Sequence, residues 1–125
     1  MNRMSFAIVA AAACGALAGG FAVAQYAALD PVNVAPHIYQ AVLDNDRVRV
    51  LKATERNGET APLHSHPARL VVYLSPCAWM EVRADGTEVM QSYRLGDVVW
   101  QERITHGGDT SRVVQECSRL EIEMK

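Results

Sequence analysis

The sequence predicts an all-β domain, because short strand-like runs alternate with turn residues and no helical period is present. After residue 39 the chain is a series of short apolar or alternating runs, separated by pairs such as Asn57-Gly58 and Asp85-Gly86. No stretch keeps a helical period over three turns. Many short strands joined by turns are typical of a β-sandwich or a β-barrel. With 125 residues, the chain is expected to form one domain.

The individual strands follow from their alternation and from the turns that bound them. The last one alternates strictly, with Leu120, Ile122 and Met124 separated by two glutamates, and is expected to be a half-exposed strand. The predicted strands cover residues 48–50, 70–74, 78–83, 87–93, 98–100 and 120–124.

Residues 1–24 have the organisation of a signal peptide. Arg3 is followed by an uncharged stretch, residues 6–24, that ends in the small-residue pattern Ala-Val-Ala. Cleavage after this pattern leaves Gln25 as the first mature residue and places the protein in the periplasm or outside the cell, with no membrane partner. The alternative is an uncleaved anchor, since the stretch is about long enough to span a bilayer.

The mature chain is expected to begin with an extended N-terminal arm. Residues 25–45 contain Pro31 and Pro36 and show no clear period up to residue 39, so this segment is separated from the domain proper, residues 46–125. Of the three cysteines, Cys77 and Cys117 remain after cleavage. In an oxidising compartment they can form a disulfide; the alternative is two small buried apolar side chains.

The charge distribution favours a small molecule or an ion as the partner. Twelve basic and fourteen acidic residues are interspersed along the chain. No basic patch suggests nucleic acid, and no run of like charge suggests a disordered tail.

Three histidines form the strongest candidate site. His64 and His66 lie two residues apart, so on a strand both side chains point to the same face, and His106 follows 40 residues later. Three neutral imidazoles can hold a divalent metal ion and leave other coordination positions open. Alternatively the pair is exposed or bonded to backbone, and His106 is a surface turn residue. His37, in the arm, is expected to face solvent. Metal binding is expected to weaken below about pH 6, because a free imidazole has a pKa of about 6.5.

The spacing around these histidines resembles the motifs of the cupin family. Gly58, five residues and His64-Ser-His66 are similar to the start of the first cupin motif, and the stretch from Gly96 to His106 resembles a shortened second motif. The mature chain is similar to small single-domain cupins, some of which are called β-alanine degradation proteins. The resemblance implies a double-stranded β-helix, the cupin jelly-roll barrel, with a metal inside. The glutamate of the first motif is replaced by Leu70 or Val71.

Two functions remain open on this basis. The first is a mononuclear non-haem iron dioxygenase that acts on a small anionic metabolite, with Zn, Mn or Ni as alternative metals. The second is a non-catalytic periplasmic cupin that binds a metal ion or a small ligand. Arg69 is the candidate for binding a substrate carboxylate and Tyr73 a second substrate-binding candidate, although a surface arginine and a core tyrosine are the simpler interpretations.

Two further expectations concern the surroundings of the site. Glu59, Gln101 and Glu102 are the candidates for a fourth metal ligand from a neighbouring loop. By analogy with cupins of this size, a homodimer is expected to form through sheet edges, with residues 120–124 as the candidate edge strand.

Overall fold

The computed structural model describes residues 27–125, in which antiparallel strands dominate. The predicted leader, residues 1–24, lies outside these residues. No helix in the described part is long and apolar enough to cross a membrane. The expected all-β class is confirmed. In chain order the elements are α1 Pro31–Val34, β1 Tyr39–Asp44, β2 Val48–Glu55, β3 His64–His66, β4 Arg69–Tyr73, β5 Cys77–Val82, β6 Glu88–Tyr93, β7 Val98–Gln101, β8 Ile104–His106, a 3-10 turn Gly108–Thr110, β9 Ser111–Gln115 and β10 Cys117–Met124.

The strands form two layers. One layer is a five-stranded sheet in the order β1-β2-β10-β4-β7. The other consists of the pair β3-β8 and the three-stranded sheet β6-β5-β9. All neighbouring strands are antiparallel, and chain neighbours are often separated in the sheet, as expected for the predicted jelly roll.

The described part of the predicted arm, residues 27–45, is more structured than expected. Asp30 caps the single turn α1, its Oδ1 accepting a hydrogen bond from the Val32 N–H at 2.9 Å. Tyr39 begins β1, which pairs with β2 inside the five-stranded sheet. The reason is packing: Ile38 and Tyr39 are buried in one apolar cluster, on which Val34 of α1 also packs. The domain therefore begins before residue 46.

The last strand, β10, is a central strand and not the expected edge. It pairs with β2 on one side and with β4 on the other, so it offers no free edge to a second copy. Its polarity is also reversed: Glu121 and Glu123 are buried, whereas Leu120 and Ile122 are partly exposed. The strand turns its charged face inward because partners for these charges lie inside the barrel. The homodimer stays a prediction, and its interface must lie elsewhere.

The buried apolar residues form two separate clusters. The first surrounds Tyr39 and Leu51, and the second surrounds Val71, Tyr73 and the two cysteines. Cys77 of β5 and Cys117 of β10 are disulfide-bonded, which joins the two layers. A bridge typically stabilises a small domain by about 2–4 kcal/mol. The buried polar and charged residues of the described part are Glu55, His64, Ser65, His66, Arg69, Arg119, Glu121 and Glu123.

Candidate metal centre

The strand pair β3-β8 brings the three predicted histidines together. His64 lies directly opposite His106 in the antiparallel register, and His66, two residues along, points to the same side. One ligand nitrogen from each ring lies within 4.8 Å of the other two. The side chains are enclosed, since His64 and His66 are 1% and 0% exposed.

Hydrogen bonds decide which ring nitrogens face the centre. His64 Nδ1–H donates to the carbonyl oxygen of Pro62 at 2.6 Å, and His66 Nδ1–H donates to Glu123 at 2.8 Å. The Nε2 atoms of His66 and His106 are buried and have no hydrogen-bond partner. Buried polar atoms normally have hydrogen-bond partners, so two buried imidazole nitrogens without a partner in the same site indicate that a ligand binds there. Three imidazole nitrogens fit a divalent transition metal such as Fe, Zn, Mn or Ni.

Gly107 holds the loop behind His64 close to β8. Its φ is +102°, and a Cβ at this position would approach the carbonyl oxygen of Pro62 to 2.5 Å. The same carbonyl accepts the hydrogen bond from His64. A glycine is therefore required directly after His106, because any side chain would push away the group that orients His64.

Two buried glutamates of β10 support the site from behind. Glu123 accepts the hydrogen bond of His66 and an ion pair from Arg49 at 2.7 Å. Glu121 lies 3.4 Å from His66 Nδ1 and accepts from Arg69 Nε at 2.6 Å and Arg119 Nε at 2.8 Å. A carboxylate behind a ligating imidazole fixes the ring and raises its basicity. These two residues place negative charge directly beside His66.

The centre opens into a cavity of about 310 Å³. This volume lies at the small end of the range of protein ligand pockets, which suits a small ligand. His64, His106 and the predicted Arg69 line the cavity, and the predicted Tyr73 lines it too. Tyr73 stacks on Tyr93 with ring centroids 4.3 Å apart. The structure thus brings Arg69 and Tyr73 to the cavity that the metal centre faces; their role in binding stays a prediction.

A solved cupin structure shares this architecture. A cupin domain from Bordetella pertussis Tohama I is 22% identical, with a TM-score of 0.54 over 70% of this chain and 92% of that chain. The chain has the cupin fold. A cupin superfamily protein from Desulfitobacterium hafniense DCB-2 is 15% identical (TM-score 0.49, 70% of this chain and 75% of that chain). An RmlC-like cupin from Desulfovibrio desulfuricans is 18% identical (TM-score 0.47, 73% and 86%).

No protein-family model and no curated protein matches this chain significantly. The resemblance to β-alanine degradation proteins therefore stays a prediction.

The other residues that the sequence singled out lie in different places. His37 is 58% exposed and pairs with Glu59 at 3.3 Å, away from the three histidines, as expected of a solvent-facing residue. Glu102 lines the cavity and accepts a hydrogen bond from Trp100, whose side chain is half exposed. Gln101 lines the cavity and accepts from Arg69 Nη2 at 2.6 Å. Neither Glu59 nor Glu102 belongs to the cluster of metal-binding groups found in residues 27–125.

The sequence patterns did not point to several buried residues that surround the three histidines. Glu55, Arg119 and Tyr39 were not singled out, although Arg119 bonds to Glu55 and, at 3.2 Å, to the Tyr39 hydroxyl. Burial raises the pKa of Tyr39 well above its usual value, so this hydroxyl keeps its proton. Arg-x-Glu-x-Glu at residues 119–123 was the available signal, since charges at every second position share one face of a strand.

We expect metal binding to persist to lower pH than free imidazoles allow. Burial lowers the pKa of His64 to about 4 and that of His106 to about 3. For His106, the neighbouring imidazoles of His64 and His66 are the second cause of the lowered pKa. At pH 5.5, two imidazoles of pKa about 6.5 would weaken binding about a hundredfold by proton competition, whereas His64 and His106 stay neutral. Zn²⁺ titrations at pH 7 and pH 5.5 should differ by no more than about tenfold, and a hundredfold difference would contradict these pKa shifts.

The same shifts set the pH dependence of the metal-free fold. Between about pH 6.5 and pH 4 the unfolded chain binds protons at His64 and His106 that the folded chain does not. Their contribution therefore lowers the free energy of unfolding as the pH falls through this window.

Proposed function

We propose that this protein is an exported metal-binding cupin that holds divalent iron and a small anionic ligand side by side. The observation that carries the proposal is the set of buried atoms without partners in residues 27–125: Nε2 of His66, Nε2 of His106 and Nη1 of Arg69. Two are metal-ligand atoms, and the third is a donor for an anion. These three residues are suited to one ligand pair, a cation and the carboxylate that completes its coordination.

The buried charges support a monoanion as the ligand. The buried Glu55, Glu121 and Glu123 and the half-buried Asp30 carry four formal negative charges. Three positive charges balance them, on Arg69, Arg119 and the half-buried Arg49, which leaves minus one. A divalent ion changes this sum to plus one. Because an unbalanced charge in a buried site is costly, a ligand with a single negative charge is favoured.

The binding of this ligand is assigned to Arg69. Its Nε and Nη2 atoms are held by Glu121 and Gln101, both at 2.6 Å, so its third nitrogen is presented in a fixed direction. A guanidinium fixed in this way is suited to a carboxylate, and the aromatic rings of Tyr73 and Tyr93 offer an apolar wall for the rest of the molecule.

The donor set favours an iron dioxygenase over a pure binding protein. Three histidines without a carboxylate ligand leave coordination positions for both an anionic substrate and dioxygen, and iron supplies the oxidation chemistry when bound. The chain contributes the fixed imidazoles, the carboxylates behind them and the arginine that orients the substrate. The alternative of a non-catalytic metal-binding or ligand-binding cupin makes the same metal contacts and differs in the absence of turnover.

Export is proposed from the leader-like residues 1–24, and the disulfide between Cys77 and Cys117 supports it. Disulfides persist in oxidising compartments and are rare in the cytosol.

The test uses protein recovered from the periplasm or the medium of the source cell. We expect about one iron per chain by elemental analysis, and oxygen consumption with at least one member of a panel of small carboxylates and thiols. Arg69→Lys keeps the positive charge but loses the planar N–H donors of the guanidinium. This variant should retain the metal and bind carboxylates more weakly. Protein without metal would overturn the metal-binding proposal. Metal without oxygen consumption would exclude the dioxygenase and leave the binding protein.

A further inference from the structure

Tyr39 is a buried tyrosine whose hydroxyl lies at the metal centre. The residue begins β1, and its side chain is 1% exposed. Its ring lies beside two of the metal-binding histidines, with centroids 5.1 Å from His64 and 5.4 Å from His66. Its hydroxyl oxygen is 3.0 Å from His64 Nε2.

The direction of this hydrogen bond follows from its neighbours. His64 carries its proton on Nδ1, which donates to the Pro62 carbonyl, so Nε2 is the acceptor and the Tyr39 O–H is the donor. Arg119 Nη2 donates to the same hydroxyl oxygen at 3.2 Å and thereby occupies one of its lone pairs. The O–H therefore points at the nitrogen that a metal ion needs.

We propose that the Tyr39 hydroxyl exchanges its acceptor when the site is loaded: it leaves His64 Nε2 and donates to the anion bound beside the metal. A metal ion and an O–H group cannot share one imidazole lone pair, so metal binding at His64 breaks the observed hydrogen bond. Arg119 keeps the phenol oxygen in place, so the freed O–H stays in the centre. An anionic oxygen next to the ion is the acceptor that satisfies it, and a buried donor without an acceptor is unfavourable. The inference rests on the proposed metal site.

This exchange gives Tyr39 opposite effects on two binding steps. In the metal-free protein its hydrogen bond stabilises His64 and competes with the metal. In the loaded protein its hydrogen bond stabilises the anion. A tyrosine that serves only the apolar cluster around β1 and β2 would affect neither step through its hydroxyl, because the ring alone fills that space.

Tyr39→Phe separates these possibilities, since it keeps the ring and removes the hydroxyl. Titrations with Co²⁺, followed by its visible absorption, should show an affinity equal to wild type or up to about tenfold higher. Acetate added to the Co²⁺ form should then bind about tenfold or more weakly than it does to wild type, because a hydrogen bond to a charged acceptor is lost. Glu88→Gln, at an exposed position of β6 outside the cavity, is the control and should change each affinity less than about twofold.

The outcomes distinguish the inference from the proposed function. Wild-type protein that binds no Co²⁺ would refute the metal site itself. If wild type binds Co²⁺, a weaker Co²⁺ affinity in Tyr39→Phe would refute the exchange. An acetate affinity of Tyr39→Phe equal to that of wild type would refute it as well. Neither result would contradict the metal site. A measurement on wild type covers the case in which the variant does not fold: Zn²⁺, and then acetate, should each change the tyrosine ultraviolet difference spectrum. A spectrum unchanged at both additions would also overturn the inference.

Discussion

Replacing any one of His64, His66 or His106 by alanine should abolish tight binding of a divalent ion at neutral pH. The three nitrogens converge from one strand pair, and residues 27–125 offer no other cluster of metal-binding groups near them. Two remaining imidazoles cannot offset the desolvation of the ion. The loss should therefore exceed the 10–100-fold reduction that is typical when a group behind a ligand is changed.

The measurement is the metal-induced rise in melting temperature, taken for each variant against its own metal-free form. This comparison separates metal binding from the cavity that removal of a buried ring leaves. His37→Ala is the matched control, because His37 is exposed and pairs with Glu59 away from the site; it should behave like wild type. Tight binding by His106→Ala would show that the third ligand is wrongly assigned.

Glu123→Gln should give an intermediate result, which tests the geometry behind the ligand. The amide can still accept the hydrogen bond of His66 Nδ1 but lacks the charge. A reduction of about 10–100-fold in metal affinity is expected. A loss as large as that of His66→Ala would indicate that Glu123 binds the ion directly.

The second large effect is on stability: Glu121→Gln should lower the free energy of unfolding by about 3–5 kcal/mol. Glu121 is 1% exposed and accepts short hydrogen bonds from both Arg69 and Arg119. These ion pairs, together with His66, hold the pKa of Glu121 far below its usual value although burial opposes this shift. Removing the charge leaves the buried Arg69 without its carboxylate partner and Arg119 with Glu55 alone, and an uncompensated buried charge is strongly destabilising.

Urea unfolding at pH 7 measures this effect. Glu88→Gln, at an exposed position of β6, is the control and should change the free energy of unfolding by less than about 0.5 kcal/mol. The double variant Arg69→Leu/Glu121→Leu should be more stable than Glu121→Gln, since it removes the unpaired charge together with its partner. A loss below about 1 kcal/mol in Glu121→Gln would mean that the buried network contributes little to stability.

Local patterns were sufficient for most of the strands and for the metal ligands. The runs at residues 70–74 and 87–93 lie in β4 and β6 almost as predicted, because alternation and turn residues act over a few neighbours. His64 and His66 share a face for the same reason. His106 was assigned to the same site because it ends a stretch that resembles the second cupin motif, and the β3-β8 register places it directly opposite His64.

The orientation of the strands could not be read from the same patterns. Alternation in β10 shows that Leu120 and Ile122 face one side and Glu121 and Glu123 the other, but not which side is inside. The usual assignment places the apolar side inward. Here the inner side is charged, because Arg49, Arg69 and Arg119 lie on the same inner face and pair with the two glutamates. Which face of β10 turns inward therefore depends on arginines of β2, β4 and β10, which only the sheet order brings together.

The sequence by itself determined the fold class, the turns and the three imidazoles, since each depends on neighbouring residues or on a recurring spacing. The tertiary structure alone decided what surrounds those imidazoles. Glu123 stands 57 residues from His66, and Tyr39 stands 25 residues from His64 and 80 from Arg119. Cys77 and Cys117 became a bridge only because β9 pairs with β5, with Gln115 opposite Ala78, and leads directly into β10. Contacts at such separations are set by strand order and register, and a single sequence carries no local signal for either.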